Sequence, residues 1–392
     1  MTYELAHNSW GKEELEAIQK VIDSDRLTMG PFTEQFEHEF AAKMGSRYGV
    51  MTNSGSSANL IAIAALSFKK DHPLKPGDEV IVPAISWATT YYPLIQYGLK
   101  LRFVDVELET LNMDVTRLEE ALTPATKAVV GVSILGNPCA LDVIQTFCKK
   151  HSLYFFEDNC ESMGATLNGK NCGTFGDIGT FSTFFSHHIS TIEGGICLTD
   201  DEELYHLMLS LRSHGWTRHL PETSPVYEKQ EDDFFEAYRF ILPGYNVRPI
   251  EFAGAIGIEQ LKKLDPMVEV RRKNGELWTS LFENDDRFII QKEHGESAYF
   301  AFTLILNPAM PFDRKRVMQT LKEHSIEYRI ITGGNFLRHD VIKHCNHTCA
   351  HQIINANIAH DHGFFVGNHP YDIRGEIKRF YTVLDQATKA LV

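Results

Sequence analysis

The chain has 392 residues, of which 43% are hydrophobic and 23% are charged, and its net charge is −14 at pH 7. This length predicts two domains with a large buried core, and the composition is typical of soluble globular proteins. The negative charge argues against a nucleic-acid partner, because binding to a phosphate backbone needs a basic surface. No apolar run is long enough to span a bilayer, and the N-terminus lacks a signal pattern. We therefore expect no membrane partner and a cytoplasmic location.

Helices and strands are predicted to alternate along the first 160 residues. Such alternation favours a largely parallel sheet with helices on both faces, and it places functional side chains at the carboxyl ends of the strands. The patterns predict helices over residues 9–24, 33–44 and 141–150, an apolar helix through 61–66, and strands over 79–83, 100–105, 128–135 and 155–158.

A turn of small residues joins the strand that begins at Tyr48 to the next helix. Gly55 lets a ligand approach the backbone closely, and Ser56 offers a hydroxyl group at the start of the helix. A helix N-terminus supplies unpaired N–H groups and the positive end of a dipole, which together favour a phosphate. The turn therefore predicts a phosphate site, although the same residues commonly serve only as a helix cap.

Two side chains at the ends of predicted strands are candidates for a ligand site. Asp158 ends the strand that starts at residue 155, where a carboxylate can pair with a cationic ligand or simply cap a helix. Trp87 opens the helix after the strand at 79–83, where an aromatic ring can stack on a ligand or fill the core. Both alternatives stay open on these residues alone.

The polar segment from Phe181 to Gly195 lies between two apolar runs, which places it at a sheet edge where sites are usually built. It contains the pair His187 and His188, which by itself is typical of an ordinary polar turn.

This segment resembles the cofactor-binding segment of fold-type-I pyridoxal-phosphate enzymes of the DegT/DnrJ/EryC1/StrS sugar aminotransferase family. In that family it runs roughly Ser-Phe-x-x-x-Lys-x-Ile-Thr-x-x-Glu-Gly-Gly, and the lysine six residues before the glutamate carries the cofactor. Counting back six residues from Glu193 leads to His187. An imidazole cannot form the covalent link that a lysine amine forms, but it can move protons near neutral pH. The resemblance therefore implies that His187 is catalytic and that the cofactor is held without a covalent bond.

The resemblance also implies the fold and the cofactor contacts. The fold is an α/β, aspartate-aminotransferase-like large domain with a mixed, mostly parallel sheet, and a smaller α+β C-terminal domain. Asp158 faces the pyridine nitrogen of pyridoxal 5'-phosphate or pyridoxamine 5'-phosphate, and Trp87 stacks on the ring. Glu161 takes the place of the usual Gln or His near the 3-hydroxyl, where a carboxyl group must be protonated or solvated. The other expected contacts come from Gly55, Ser56, Ser182 and, across the interface of a homodimer with shared sites, Asn246.

For the substrate, Arg248 is expected to clamp a carboxylate, since a guanidinium group binds carboxylate in a bidentate way. Ser186, His214 and Arg218 are further candidates for substrate contacts.

Histidine in the lysine position resembles, within this family, the 3-dehydratases of nucleotide-linked sugars. That resemblance implies removal of the C3 hydroxyl from a GDP-linked 4-keto-6-deoxy sugar, GDP-4-keto-6-deoxy-D-mannose, in dideoxysugar (colitose-type, O-antigen) biosynthesis. L-Glutamate regenerates pyridoxamine phosphate. Two alternatives are a related 3-dehydratase that acts on a CDP-hexulose with an iron–sulfur electron donor, and a non-catalytic homologue that binds the cofactor or a sugar.

The C-terminal third changes pattern and predicts the smaller domain. We expect a large cofactor-binding domain over residues 1–260 and a small α+β domain over 261–392. A polar stretch at 221–233 predicts a surface excursion or lid. The remaining predicted elements are helices at 253–264 and 267–282, interrupted at Pro266, strands at 298–306 and 326–331, a helix at 314–324 and a final helix near Glu376.

Seven cysteines in a chain without a signal pattern predict reduced thiols. The densest group of potential metal ligands spans residues 344–351 and contains Cys345 and Cys349 between histidines. Because this spacing is less usual for zinc and no second cysteine pair follows, we predict a polar surface element and no metal, with zinc as the alternative. The sequence offers no four-cysteine array for an iron–sulfur cluster.

Overall fold

The computed structural model describes residues 2–389. The helices are α1 (Lys12–Ser24), α2 (Pro31–Met44), α3 (Gly55–Phe68), α4 (Ala88–Gln96), α5 (Leu118–Ala121), α6 (Leu141–His151), α7 (Glu202–Arg212), α8 (Asp233–Glu236), α9 (Glu251–Phe282), α10 (Arg314–Glu323), α11 (Asn355–His362) and α12 (Arg374–Lys389). The strands are β1 (Tyr48–Thr52), β2 (Glu79–Pro83), β3 (Lys100–Val104), β4 (Thr126–Val132), β5 (Tyr154–Asp158), β6 (Thr166–Leu167), β7 (Lys170–Asn171), β8 (Ile178–Ser182), β9 (Gly195–Thr199), β10 (Thr223–Ser224), β11 (Tyr227–Glu228), β12 (Phe288–Ile290), β13 (Ala301–Leu306), β14 (His347–Cys349) and β15 (Gly363–Gly367).

The large sheet has the strand order β1-β9-β8-β5-β4-β2-β3-β14. Six neighbouring strands of this sheet, β8-β5-β4-β2-β3-β14, are parallel to one another. Strand β9 is antiparallel to both of its neighbours, β1 and β8. Helices cover both faces: Val80 and Val82 belong to one apolar core and Ile81 to the other, as the two-residue period of a strand requires. The predicted α/β class with a mixed, mostly parallel sheet is confirmed.

A smaller unit contains the three-stranded antiparallel sheet β12-β13-β15 with α10 and α12 packed together beside it. Its core includes Trp278 and Phe282 from α9 and also Tyr3, whose hydroxyl group donates to the carbonyl oxygen of Gly367 at 2.7 Å. The chain around Tyr3 therefore packs against the C-terminal unit. Conversely, β14 extends the large sheet beside β3. The boundary near residue 260 falls within α9 and stays a prediction.

The predicted break at Pro266 is wrong, because α9 runs through it for 32 residues. A proline lacks the N–H group that would bond to the carbonyl oxygen four residues earlier. Pro266 lies on an exposed face of the helix, where water can satisfy that carbonyl group, while Leu264 and Met267 remain buried on the other face.

Two predicted strands also differ from the structure. The segment 326–331 forms only isolated bridges, from Ile326 to Tyr3 and from Arg329 to Phe365, because its hydrogen bonds go to two different partners. The strand predicted over 128–135 ends at Val132 and is followed by a 3₁₀ turn. Within the polar stretch at 221–233, β10 and β11 pair as a short hairpin on the surface.

The cysteine- and histidine-rich segment supplies an edge strand. Cys345 is buried, and its thiol donates to the carbonyl oxygen of Val341, whereas Cys349 is exposed within β14. Within residues 2–389 no group of three or more His, Cys, Asp or Glu side chains is arranged to hold a metal ion. Over the same residues, no helix combines the length and apolar composition needed to cross a membrane.

Candidate active site

A cavity of about 400 Å³ opens at the carboxyl ends of β2, β4, β5 and β8, where parallel strands place a ligand site. It brings together eight of the predicted site residues, which come from four separate stretches of the chain: Gly55, Ser56, Trp87, Asp158, Glu161, Ser182, Ser186 and His187.

The N-terminus of α3 forms one wall. Ser54 is the N-cap residue, and its side-chain oxygen accepts from the N–H group of Ser57 at 3.1 Å. At Gly55 a Cβ atom would lie 2.7 Å from the Cβ of Ser182 and 3.0 Å from the sulfur of Cys160, so only glycine fits between these groups. The close approach and the positive end of the helix dipole suit a phosphate group.

Asp158 forms the floor and is 5% exposed. Its Oδ2 accepts hydrogen bonds from Asn59 Nδ2 at 2.8 Å and Thr90 Oγ1 at 2.7 Å, and its Oδ1 accepts one from the N–H group of Cys160 at 3.2 Å. All three donors are neutral, so they fix the carboxylate without cancelling its charge. This arrangement suits a cationic ligand atom such as a protonated pyridine nitrogen.

Sequence reasoning missed the residues that orient Asp158. Thr180 Oγ1 donates to Asn59 Oδ1 at 2.6 Å, which turns the amide so that its nitrogen faces Asp158. Asn59 directly precedes the apolar run 60–66 of α3, and a polar amide there is a usable signal, since buried polar groups need partners. Thr90 carried no comparable signal.

Trp87 is 59% exposed at the rim of the cavity and immediately precedes α4. A ring so far from the core is available to stack on a ligand, which favours the functional interpretation over the packing one.

His187 lines the cavity between two aromatic rings, Phe184 and Phe300, whose centroids lie 5.8 and 5.1 Å from that of the imidazole. This enclosure lowers the pKa of His187 to about 4, with a smaller contribution from the charge of Arg271, so the imidazole is neutral near pH 7. Its Nδ1 is buried without a partner among the described residues. Nε2 is therefore the nitrogen available to a ligand.

The adjacent His188 faces the protein interior. It is 1% exposed, and its Nε2 lies 3.1 Å from the carbonyl oxygen of Ala298. Phe300 comes from the small unit, and nothing in its local sequence indicated that it would reach this cavity.

The other four predicted residues do not line this cavity within one chain. Arg248 donates through Nε to Asn246 Oδ1 at 3.1 Å, and Arg218 lies over the ring of Trp216 at 5.1 Å. His214 has a left-handed backbone, with φ of 64°, at the turn after α7. Arg218 and Arg248 instead line a second cavity of about 480 Å³, together with Arg26, Thr28, Met29, Trp216 and His219. Sequence reasoning missed Arg26 and His219.

Comparison with known proteins matches residues 8–378 to the DegT/DnrJ/EryC1/StrS aminotransferase family. The chain belongs to this family. It is 50% identical over 386 residues to a GDP-4-keto-6-deoxy-D-mannose 3-dehydratase of Yersinia pseudotuberculosis, covering 98% of each chain.

Two solved structures of a GDP-4-keto-6-deoxymannose-3-dehydratase are also similar to it. One is a histidine-to-asparagine variant with bound GDP-perosamine (TM-score 0.95), and the other holds a trapped PLP–glutamate geminal diamine (TM-score 0.96). Each is 49% identical, with 97% of this chain and 100% of the other covered.

Proposed function

We propose that the protein is a pyridoxal-phosphate-dependent 3-dehydratase that removes the C3 hydroxyl group from GDP-4-keto-6-deoxy-D-mannose. L-Glutamate regenerates the pyridoxamine form of the cofactor. The observation that carries this proposal is a neutral histidine, His187, that lines the cavity. The resemblance to the family's cofactor-binding segment gives this histidine the place of the family's lysine.

The residues present fit pyridoxal or pyridoxamine phosphate. The α3 N-terminus with Gly55, Ser56 and Ser182 suits the phosphate, Asp158 the pyridine nitrogen, and Trp87 one face of the ring. When bound, the cofactor supplies an electron sink for breaking bonds next to its amine. Asp158 strengthens that sink because its uncancelled charge favours a protonated pyridine nitrogen.

His187 serves as the proton carrier. Its neutral imidazole takes one proton at Nε2 and gives one to the departing C3 oxygen, as general acid–base catalysis requires. A lysine amine could displace the sugar and divert the reaction to amino transfer, whereas an imidazole cannot. The rings of Phe184 and Phe300 flank the imidazole on two sides and give it an apolar surrounding.

The second, arginine-lined cavity supports an anionic substrate despite the net charge of −14. Arg248 and Asn246 are hydrogen-bonded to each other but lie outside the first cavity of their own chain. Their position outside that cavity agrees with a homodimer in which Arg248 and Asn246 contribute to the active site of the neighbouring subunit. The proposal includes a cytoplasmic location, where nucleotide sugars and glutamate are available, and a role in O-antigen-type dideoxysugar synthesis.

The test is to load the protein with pyridoxal phosphate, add glutamate and then GDP-4-keto-6-deoxymannose. We expect 2-oxoglutarate in the first step, and ammonia and a 3-deoxy ketosugar in the second. The His187→Asn variant is the matched control and should lose the second step.

Turnover of a CDP-linked substrate instead, together with measured iron, would favour the iron–sulfur-assisted dehydratase. Absence of both steps with cofactor bound would favour a binding protein.

A further inference from the structure

Glu161 is a second carboxyl group in the cavity that already contains Asp158. The two residues are three positions apart, but their surroundings differ. Asp158 accepts three hydrogen bonds, whereas the carboxyl group of Glu161 accepts one, at Oε2, from the N–H group of Leu135 at 3.0 Å. When two carboxyl groups share one site, the one that accepts more hydrogen bonds takes the charge and the other keeps a proton. The hydrogen-bond pattern assigns the charge to Asp158 and the proton to Glu161.

The backbone at Leu135 is bent to reach Glu161. Leu135 has φ of 51°, a left-handed conformation that is unfavourable for a leucine, in the 3₁₀ turn that follows β4. Its side chain is buried, so the surrounding core holds this conformation in place. Because Leu135 fixes Oε2, the second oxygen, Oε1, is the one available to a ligand in the cavity.

The neighbouring groups agree with a protonated Glu161. Burial, reinforced by the charge of Asp158, raises the pKa of Glu161 to about 8. Among the other titratable groups that line the cavity, burial raises the pKa of the Cys160 thiol and lowers that of His187, so both are neutral near pH 7. Glu193 is exposed, where solvent screens its charge. None of these supplies a cation that would ionise Glu161.

We propose that Glu161 is a carboxylic acid at neutral pH and holds the bound cofactor through a hydrogen bond that only its protonated form can donate. The acceptor is the cofactor's phenolic oxygen, an assignment that rests on the proposed function. The Gln or His usual at this position donates at any pH, so the glutamate makes cofactor retention depend on pH. Glu161 is thus a positioning residue, and deprotonation replaces its donated proton with a repelling charge.

The first test compares pyridoxal phosphate dissociation constants of wild type and Glu161→Gln by equilibrium dialysis from pH 6.5 to 9.5. The Gln side chain can donate a hydrogen bond over this whole pH range. Taking the ratio of the two dissociation constants removes the pH dependence that comes from groups present in both proteins. With one linked proton and a pKa of about 8, the wild-type constant should rise about 30-fold relative to the variant between pH 7 and 9.5. Asp286→Asn, at an exposed position outside the cavity, should follow wild type. A constant ratio would overturn the proposal.

The second test needs no bound ligand. Infrared spectra of wild type without cofactor should contain the C=O band of a protonated carboxyl group, which disappears with a midpoint near pH 8 and is absent from Glu161→Gln. A spectrum without that band at pH 7 would also overturn the proposal. Neither test uses the sugar or glutamate, so a failure of the dehydratase assay leaves both results interpretable.

Discussion

Replacing Asp158 with asparagine tests how the site holds a cation. The carboxylate is 5% exposed and receives three neutral donors, so its charge is uncompensated until a cationic ligand arrives. An asparagine can keep the bonds from Asn59 and Thr90 at one oxygen, but its NH₂ group then faces the N–H group of Cys160. That lost bond costs about 1 kcal/mol in the empty protein, and removing a buried charge offsets part of it.

The effect on the loaded protein should be much larger. Removing one partner of a buried ion pair typically costs about 3–5 kcal/mol, which corresponds to a rise of about two to four orders of magnitude in the dissociation constant of pyridoxal phosphate. Dialysis measures that constant, and calorimetry measures the melting temperature of the empty protein, which should change little. The glutamate half-reaction should also slow steeply, because the electron sink is weaker. Asp286→Asn, at an exposed position in the small unit, is the control.

Cofactor binding within threefold of wild type, with normal turnover, would refute this reasoning and leave Asp158 with a purely structural role.

Three further predictions concern His187 and the subunit arrangement. Borohydride should leave no cofactor on denatured wild type, whereas His187→Lys should become reducible and lose dehydration. His188→Lys should not become reducible, since His188 faces Ala298; the reverse pattern would identify His188 as the cavity residue. Mixing His187→Asn subunits with Asn246→Ala subunits should restore part of the activity. If mixed dimers demonstrably form and no activity returns, shared sites are excluded. Because the pKa of His187 is lowered to about 4, the folded state binds fewer protons than the unfolded state between pH 6.5 and 4, so stability falls as pH falls through this window. Urea unfolding of the empty protein should show a smaller fall for His187→Gln, and identical profiles would contradict the lowered pKa.

Local sequence patterns were sufficient to predict the elements whose own residues determine which side chains are buried. The strand at 79–83 was predicted with its observed bounds, because a short apolar run buried on both faces has few alternatives. Pro266 misled the prediction because a proline rule describes an isolated helix, whereas α9 is packed along its buried side. The strand predicted at 326–331 failed for the same reason, since its pairing depended on Tyr3 and Phe365, which are distant in sequence.

For the site, the sequence by itself determined which chemical groups are present: a histidine six residues before Glu193, a carboxylate at the end of β5 and small residues at the start of α3. These follow from residue type and spacing, which local chain geometry conveys directly. Only the tertiary structure decided that His187 faces the cavity and His188 the core, and that Thr180 and Asn59 orient Asp158. The tertiary structure also decided that Glu161, and not Asp158, keeps a proton. The pKa of a carboxyl group is set by its burial and by hydrogen bonds from segments that are distant in sequence, and the local sequence does not specify either.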